Sequence, residues 1–170
     1  MISCIVGDFG MGKTTLLKSF IKKAEIHGKD RLAYAVIKKD MGNVEYEGSV
    51  LNYVNIATRK KDTLFLIDEA STFLPKKQPE PLKRKFDDDL IKWLINARKC
   101  NNMVFFVFHA LEEVPHWLIK YLTYFIRFNT QDMLKFQKMR FSDFPKIVQS
   151  LTENPSIPKY EYDQVQLRSV

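Results

Sequence analysis

Residues 7–14 read Gly-Asp-Phe-Gly-Met-Gly-Lys-Thr, a complete GxxxxGK[ST] pattern. The short apolar stretch 2–6 before it reads as a strand, and from Lys13 to about residue 27 apolar side chains recur at helix spacing. Glycines let the backbone curl until successive N–H groups point at phosphate oxygens, and the helix N-terminus adds partial positive charge. A preceding strand and a following helix are the context that this motif requires. The sequence therefore predicts a phosphate-binding loop; the alternative is a glycine-rich turn without a ligand.

The loop side chains have separate expected roles. Lys13 is expected to reach the β- and γ-phosphates of a nucleotide, and the Thr14 hydroxyl to ligate Mg²⁺. Thr15 is expected to support the α-phosphate. The residues predicted to contact the nucleotide are Gly7, Asp8, Phe9, Gly10, Met11, Gly12, Lys13, Thr14 and Thr15.

A pair of acids follows a second apolar strand, at 63–67. Mg²⁺ prefers carboxylate oxygen, directly or through water, so Asp68 is the second predicted metal ligand. Glu69, one residue on, is predicted to orient a water molecule against the γ-phosphate as the general base. The alternative is a strand end with two solvated acids. Adjacent Asp and Glu are typical of machines that hydrolyse ATP with water, whereas small-molecule kinases and GTPases do not generally place a base there.

The alternation of elements predicts an α/β fold. Near-continuous apolar strands separated by helices indicate a P-loop NTPase with a mostly parallel central sheet and helices on both faces. In ATP-hydrolysing machines of this class, the strand at 103–108 is inserted between the phosphate-loop strand and the Asp-Glu strand, which places residue 109 beside the γ-phosphate. The other predictions are a strand at 32–37, turns around short extended pieces at 41–55, an irregular stretch at 71–85, helices at 86–99, 112–121 and 144–151, and strands at 124–128 and 133–141.

Length and composition suit one ATPase domain, predicted at residues 1–151, with a C-terminal tail at 152–170 that packs on a neighbouring subunit. No stretch is apolar for long enough to span a bilayer, and no signal-peptide pattern opens the chain. The two cysteines have no metal-binding spacing. We expect a cytoplasmic protein, in the host cytoplasm or associated with the virion if it is viral.

Three segments together resemble the FtsK–HerA superfamily of P-loop ATPases: residues 7–14, residues 66–70, and residues 97–102 leading into the strand that ends before His109. Within it, the chain is similar to compact viral genome-packaging ATPases and to the ATPase domain of Zot-like phage assembly proteins. The resemblance covers roughly residues 1–128. It implies a homo-oligomeric ring, typically a hexamer, that hydrolyses ATP with Mg²⁺ and acts on DNA.

The resemblance also implies two further catalytic residues. In the family a polar residue, usually Gln, ends the strand after the acids and senses the γ-phosphate; here that residue is His109, whose ring can donate to phosphate oxygen. Family members contribute an arginine across the subunit interface, and Arg98 matches its place best, with Arg127 and Arg59 as competitors. The alternatives are a histidine that is satisfied locally and an arginine that only lies on the surface.

Positive charge points to a polyanionic partner. The net charge is +7, and residues 1–85 hold 16 basic against 10 acidic side chains. Five basic residues in a proline-rich stretch predict a loop that grips DNA phosphates in the pore of a ring: Lys76, Lys77, Lys83, Arg84 and Lys85. A solvated loop with no partner is the alternative.

The function predicted from the sequence is an ATP-hydrolysing motor that moves double-stranded DNA, most specifically a viral genome into a capsid. A capsid vertex or a membrane assembly protein is a further expected partner. Two other functions stay open at this point. One is an ATP-dependent switch or assembly factor, such as a phage extrusion protein, that moves no DNA, and the other is a small-molecule kinase.

Overall fold

The computed structural model describes residues 1–34, 44–74 and 82–127. These ranges contain six strands and five α-helices, with one 3₁₀ turn at Leu111–Glu113. The strands are β1 (Ile2–Val6), β2 (Asp30–Tyr34), β3 (Glu45–Glu47), β4 (Thr63–Ile67), β5 (Met103–Phe108) and β6 (Tyr124–Arg127). The helices are α1 (Lys13–Ile26), α2 (Val50–Ala57), α3 (Ala70–Phe73), α4 (Leu82–Ala97) and α5 (His116–Ile119).

The six strands form one parallel sheet in the order β3-β2-β4-β5-β1-β6. Strand β5 lies between β1, which leads into the phosphate loop, and β4, which leads into Asp68. The inserted strand that the sequence predicted is therefore confirmed. Because all strands run the same way, the loops after β1, β4 and β5 meet at one edge of the sheet, which we call the carboxyl edge.

Helices cover both faces of the sheet, as predicted. On one face, α1 buries Leu17 and Phe20 against β-strand side chains such as Phe105. On the other face, α2, α3, α4 and α5 enclose a larger core in which Tyr53 and Trp93 are fully buried. Both faces are apolar along the central strands β4 and β5, which explains why those strands read as unbroken apolar runs.

Two predictions about the elements are wrong. The stretch at 41–55 was predicted to hold only turns and short extended pieces, yet α2 begins at Val50, with Ser49 accepting a hydrogen bond from the backbone N–H of Asn52 at 3.4 Å. Tyr53, Val54 and Ala57 give this helix its buried face. The two glycines of the stretch lie before Ser49, so they interrupt nothing in the helix.

The second error concerns the stretch at 71–85, which was predicted as irregular. Residues 71–73 belong to the short helix α3, and residues 82–85 form the first turn of α4. All three prolines of the stretch precede residue 82, and Leu, Lys and Arg are good helix formers. The predicted elements at 133–141 and 144–151 and the tail at 152–170 lie outside the described residues.

At the opposite edge of the sheet, which we call the amino edge, the buried side chain of Asn102 holds the chain where it enters β4. Its Oδ1 accepts the backbone N–H of Thr63 at 3.1 Å, and its Nδ2 donates to the carbonyl of Lys60 at 3.0 Å. Its backbone N–H donates to the carbonyl of Ala97 at 2.8 Å, at the end of α4. One side chain therefore fixes where β4 begins relative to β5.

No helix in the described ranges is long and apolar enough to cross a membrane.

Candidate nucleotide site

A cleft of about 370 Å³ opens at the carboxyl edge of the sheet, where the loops after β1, β4 and β5 meet. Its volume falls within the range of small-molecule sites. The sequence-predicted groups are brought together here, since the phosphate loop, the first acid and the histidine all contribute to its wall. The lining residues are Phe9, Gly10, Gly12, Lys13, Thr14, Thr15, Asp68 and His109.

The phosphate loop depends on two glycines with left-handed backbone conformations. Gly10 has φ +76° and Gly12 has φ +87°, values that L side chains rarely adopt. At Gly10 nothing lies within 4 Å of where a Cβ would be, so conformation rather than space requires the glycine. The curl that the sequence predicted between Gly7 and the start of α1 is present.

Lys13 is buried at the start of α1, and its ammonium group donates to the carbonyl oxygens of Gly7 and, at 2.8 Å, of Asp8. Burial lowers the pKa of Lys13, and the nearby carboxylates of Asp68 and Glu69 oppose that shift. The amine therefore lies inside the loop, between backbone carbonyls and the acid pair.

Thr14 and Asp68 are in direct contact across the cleft. The Thr14 hydroxyl donates to Asp68 Oδ2 at 3.0 Å, so the two residues predicted to share a metal ion lie together. Burial raises the pKa of the Asp68 carboxyl, and the charge of Glu69 adds to this, while the hydrogen bond from Thr14 lowers it. Both contacting groups present oxygen atoms to the same point in the cleft.

Glu69 turns away from β4 because its backbone is left-handed, with φ +52° and ψ +50°. Its N–H donates to Asp68 Oδ1 at 3.2 Å, and its carboxylate Oε1 is hydrogen-bonded to His109 Nε2. A left-handed conformation is uncommon for glutamate and is typical of functional sites. The sequence predicted Glu69 and His109 separately beside the γ-phosphate, but it did not predict their direct contact.

His109 is held from two further directions. Its backbone N–H donates to Glu113 Oε2 at 3.0 Å, four residues later in the 3₁₀ turn. The Phe9 ring stacks on the imidazole, with centroids 3.9 Å apart and planes 17° from parallel. Sequence reasoning missed both contacts. The four-residue spacing to Glu113 was a usable signal, whereas Phe9 occupies a position that the motif leaves free.

Comparison with known proteins agrees with this geometry. A family model described as "ATPase family associated with various cellular activities (AAA)" matches residues 3–150. The chain belongs to the AAA family of ATPases. It is an ATPase of that type and binds nucleotide. No curated protein matches the chain.

A solved structure has the same fold as this AAA ATPase. It is the genome packaging NTPase B204 from Sulfolobus turreted icosahedral virus 2, determined in complex with AMP. The TM-score is 0.55 and the sequence identity 14%, over 86% of this chain and 85% of that one. At this identity the likeness concerns the fold, and it confirms the predicted P-loop NTPase architecture.

The donor set of the AAA ATPase cleft fits a magnesium ion. Mg²⁺ prefers hard oxygen ligands and is usually held by one or two protein groups together with phosphate oxygens and water. The Thr14 hydroxyl and the Asp68 carboxylate are such ligands, and they are 3.0 Å apart. These two residues would therefore hold Mg²⁺ in the way that the sequence predicted.

Two of the three candidate arginines lie at the amino edge of the sheet, and the third lies at the carboxyl edge. Arg98 follows α4 at the amino edge, where its Nη2 donates to Thr123 Oγ1 at 3.2 Å, so it does not reach the cleft of its own chain. Arg59 follows α2 near that same edge. Arg127 ends β6 at the carboxyl edge, in register with Val6. The role of each in hydrolysis stays a prediction.

The five predicted DNA-contacting residues are only partly described. Lys76 and Lys77 lie outside the described residues. Lys83, Arg84 and Lys85 belong to the first turn of α4 rather than to a loop, which corrects the sequence prediction. Because α4 leads back to the start of β5, its first turn lies toward the carboxyl edge, the edge that holds the cleft.

Proposed function

We propose that this AAA ATPase is a ring-forming motor of the FtsK–HerA branch that moves double-stranded DNA, with packaging of a viral genome into a capsid as its task. One observation carries the hydrolytic part. The Thr14 hydroxyl donates to Asp68 Oδ2 at 3.0 Å, and the Glu69 carboxylate is hydrogen-bonded to His109 at the end of the neighbouring strand β5. The fold shared with a protein named as a genome packaging NTPase, together with the net charge of +7, supports DNA as the cargo.

In this proposal the cleft divides the chemistry among a few side chains. Lys13 and the loop N–H groups bind the phosphates, and Thr14 and Asp68 would hold Mg²⁺, which would neutralise charge on the phosphate oxygens. Glu69 is the general base, and His109 lies beside it at the end of β5. Arg98 of a neighbouring subunit supplies positive charge to the transferred phosphoryl group.

Hydrolysis in this site is a single displacement. The oxygen of a water molecule forms a bond to the γ-phosphorus as the bond to the β–γ bridging oxygen breaks. The proton of that water passes to the Glu69 carboxylate and from there to solvent. ADP and inorganic phosphate leave, and the free energy released drives the basic residues between Lys76 and Lys85 along the DNA backbone.

The assembly that we propose is a homo-oligomeric ring, typically of six copies. Residues 1–151 would form the ATPase domain, and residues 152–170 would pack on the adjacent copy. The ring would dock on a capsid vertex; a membrane assembly protein would take that place in a phage extrusion machine. In either role the protein would act in the cytoplasm of a host cell or on the virion.

Glu69→Gln tests the hydrolytic part. The variant is expected to bind ATP with near-parent affinity while its kcat falls by about 10²- to 10⁴-fold, since an amide cannot accept the proton. Binding is measured by calorimetry and kcat by phosphate release. Turnover close to that of the parent chain would remove Glu69 from its role. Steady phosphate release by the parent chain, with no acceptor molecule present, argues against a small-molecule kinase.

DNA stimulation tests the motor part. Double-stranded DNA is expected to raise the ATPase rate of the parent chain, with a steep loss on adding salt because phosphate contacts release counterions. Neutralising Lys76, Lys77, Lys83, Arg84 and Lys85 together is expected to abolish the stimulation and leave the basal rate. If DNA has no effect on the parent chain, the switch or assembly function is favoured. If stimulation survives neutralisation, another surface binds the DNA.

A further inference from the structure

Phe9 is a large apolar side chain in an unusual place. It lies in the phosphate loop at a position that the GxxxxGK[ST] pattern leaves free, and 79% of its surface is exposed to solvent. Packing of the core therefore does not explain a phenyl ring here. Its principal described contact is the face of the His109 imidazole, at 3.9 Å between centroids.

The imidazole that Phe9 covers has few other constraints on its orientation. His109 Nε2 is hydrogen-bonded to Glu69 Oε1. Its Nδ1 is buried and has no hydrogen-bond partner among the described residues. The bond from its backbone N–H to Glu113 fixes the main chain at the end of β5, but it leaves the ring free to rotate. Stacking on Phe9 and the bond to Glu69 together set the plane of the ring.

We propose that Phe9 is a positioning residue for hydrolysis. It holds the His109 ring in the plane in which Nε2 meets Glu69, and His109 in turn holds the carboxylate of the general base. This inference rests on the proposed role of Glu69. Two side-chain contacts then connect the phosphate-binding loop to the group that activates water. Phe9, after β1, contacts His109, after β5, and His109 contacts Glu69, after β4.

Two other roles for Phe9 lead to different results. The Lys13 ammonium lies 5.9 Å from the centroid of the Phe9 ring, so Phe9 could act on phosphate binding through a cation–π contact. An exposed aromatic ring beside a cleft could also contact a second copy of the chain. The first role changes nucleotide affinity, and the second changes the oligomeric state. Positioning of Glu69 changes kcat alone.

The experiment measures basal ATP hydrolysis by the full chain, without DNA, for Phe9→Ala, Phe9→Leu and Phe9→Tyr. An aromatic pair is worth roughly a two- to tenfold change in rate, so kcat of Phe9→Ala is expected to fall by about that factor. Phe9→Leu is expected to fall similarly, because it is apolar but cannot stack, and Phe9→Tyr is expected to retain the parent kcat. The dissociation constant for ADP is expected to stay within about twofold in all three.

Ile26→Ala is the matched control, because Ile26 is 77% exposed and is the last residue of α1, at the other end of the helix from the phosphate loop. It is expected to leave kcat and the ADP affinity unchanged. Melting temperatures of all variants are expected to match the parent, since an exposed side chain contributes little to the core.

A double-mutant comparison completes the test. In a His109→Ala background, Phe9→Ala is expected to cause no further loss of kcat, because the contact through which it acts is gone. Additive losses, an ADP affinity that follows the loss of Phe9, or a change in oligomeric state by light scattering would each overturn the proposal. If Glu69→Gln is inactive and Phe9→Ala is fully active, the inference about Phe9 is wrong, while the proposed role of Glu69 stands. A fully active Glu69→Gln would sink the proposed site chemistry.

Discussion

Asp68 is a buried carboxylate at the wall of a cleft, and its charge is unfavourable for the folded chain. Burial is the largest cause of its raised pKa, and repulsion from Glu69 adds to it. The hydrogen bond from Thr14 opposes the shift without cancelling it. A charge that a metal ion and phosphates would compensate is therefore kept in the fold at a cost in stability, which is common at functional sites.

Asp68→Asn is expected to melt at a higher temperature than the parent chain at pH 7. The folded-state pKa of Asp68 lies above its value in the unfolded chain, so the ionised carboxylate destabilises the folded state at neutral pH. That penalty fades as the pH falls through the raised pKa toward 3.8, the ordinary value. The gain in melting temperature is therefore expected to shrink between pH 7 and pH 4. The amide can still meet Thr14, whose hydroxyl accepts as well as donates.

Thermal unfolding followed by circular dichroism at several pH values measures this difference. Asp88→Asn is the control, because Asp88 is an exposed carboxylate on α4. Its difference from the parent is expected to be small at every pH. A melting temperature below that of the parent for Asp68→Asn at pH 7 would contradict the argument.

The amino-acid sequence predicted the individual residues of the site better than it predicted the contacts between them. Lys13, Thr14 and Asp68 follow from motifs whose spacing reflects a shared ligand, so their meeting was foreseeable. The contacts of His109 with Glu69 and Phe9 were not. They depend on a left-handed backbone at residue 69 and on the stacking of the Phe9 and His109 rings at the end of β5. Neither feature follows from a fixed spacing of residues along the chain.

At the scale of elements, the amino edge depends on Asn102. This side chain pairs a buried backbone N–H at the start of β4 and a carbonyl in the turn before it. Both groups lose their partner if the amide is removed, and buried unpaired groups are costly. The cleft lies at the other end of strands that span about 16 Å, so stability and nucleotide binding should separate here.

Asn102→Ala is expected to lower the free energy of unfolding by about 2–4 kcal/mol, as measured by urea denaturation. The affinity of the folded variant for ADP is expected to be unchanged. Asn96→Ala is the same substitution on the exposed side of α4, and its effect is expected to stay within about 0.5 kcal/mol. A loss below 1 kcal/mol for Asn102→Ala would show that the amide is not needed at this junction.

The elements themselves were predicted where one periodicity was strong. The strands β1, β4 and β5 and the helix α1 carry unbroken or regular apolar patterns, and their predicted bounds agree with the structure within one residue. Helix α2 was missed because it has eight residues and follows two glycines. Its buried residues, at 53, 54 and 57, fit helix spacing, but a single turn or two of such a pattern is weak beside turn-forming neighbours.

At the scale of the whole molecule, Arg98 and the cleft lie at opposite edges of the sheet. Arg98 is tied to Thr123, whose hydroxyl also accepts the backbone N–H of Ile2 at 3.1 Å. A contact between Arg98 and phosphate therefore requires a second copy of the chain, which is what the ring proposal predicts.

Mixing two inactive variants tests this arrangement. Arg98→Ala and Glu69→Gln are each expected to hydrolyse little ATP alone. In a randomly mixed ring, about a quarter of the interfaces pair an intact Glu69 with an intact Arg98 from the neighbouring copy. Phosphate release is therefore expected to recover to about that fraction of the parent rate.

Mixing Lys13→Ala with Glu69→Gln is the control, because both of these residues belong to the same side of an interface. No recovery is expected for that pair. If the Arg98→Ala mixture also fails to recover, Arg98 is not shared between copies, and Arg127 or Arg59 becomes the candidate for the same test.

The position of β1 in the sheet also constrains how the chain is made. Ile2 pairs with Val104 and Val6 with Phe108, so β1 leaves the ribosome about a hundred residues before the strand that it pairs with. Until then the nascent chain carries an apolar segment without a partner, and joining it to β5 closes a long loop. Before that moment the phosphate loop lacks β5 and His109, which form one wall of the cleft. Nucleotide can therefore meet the complete cleft only after β5 and His109 have been translated.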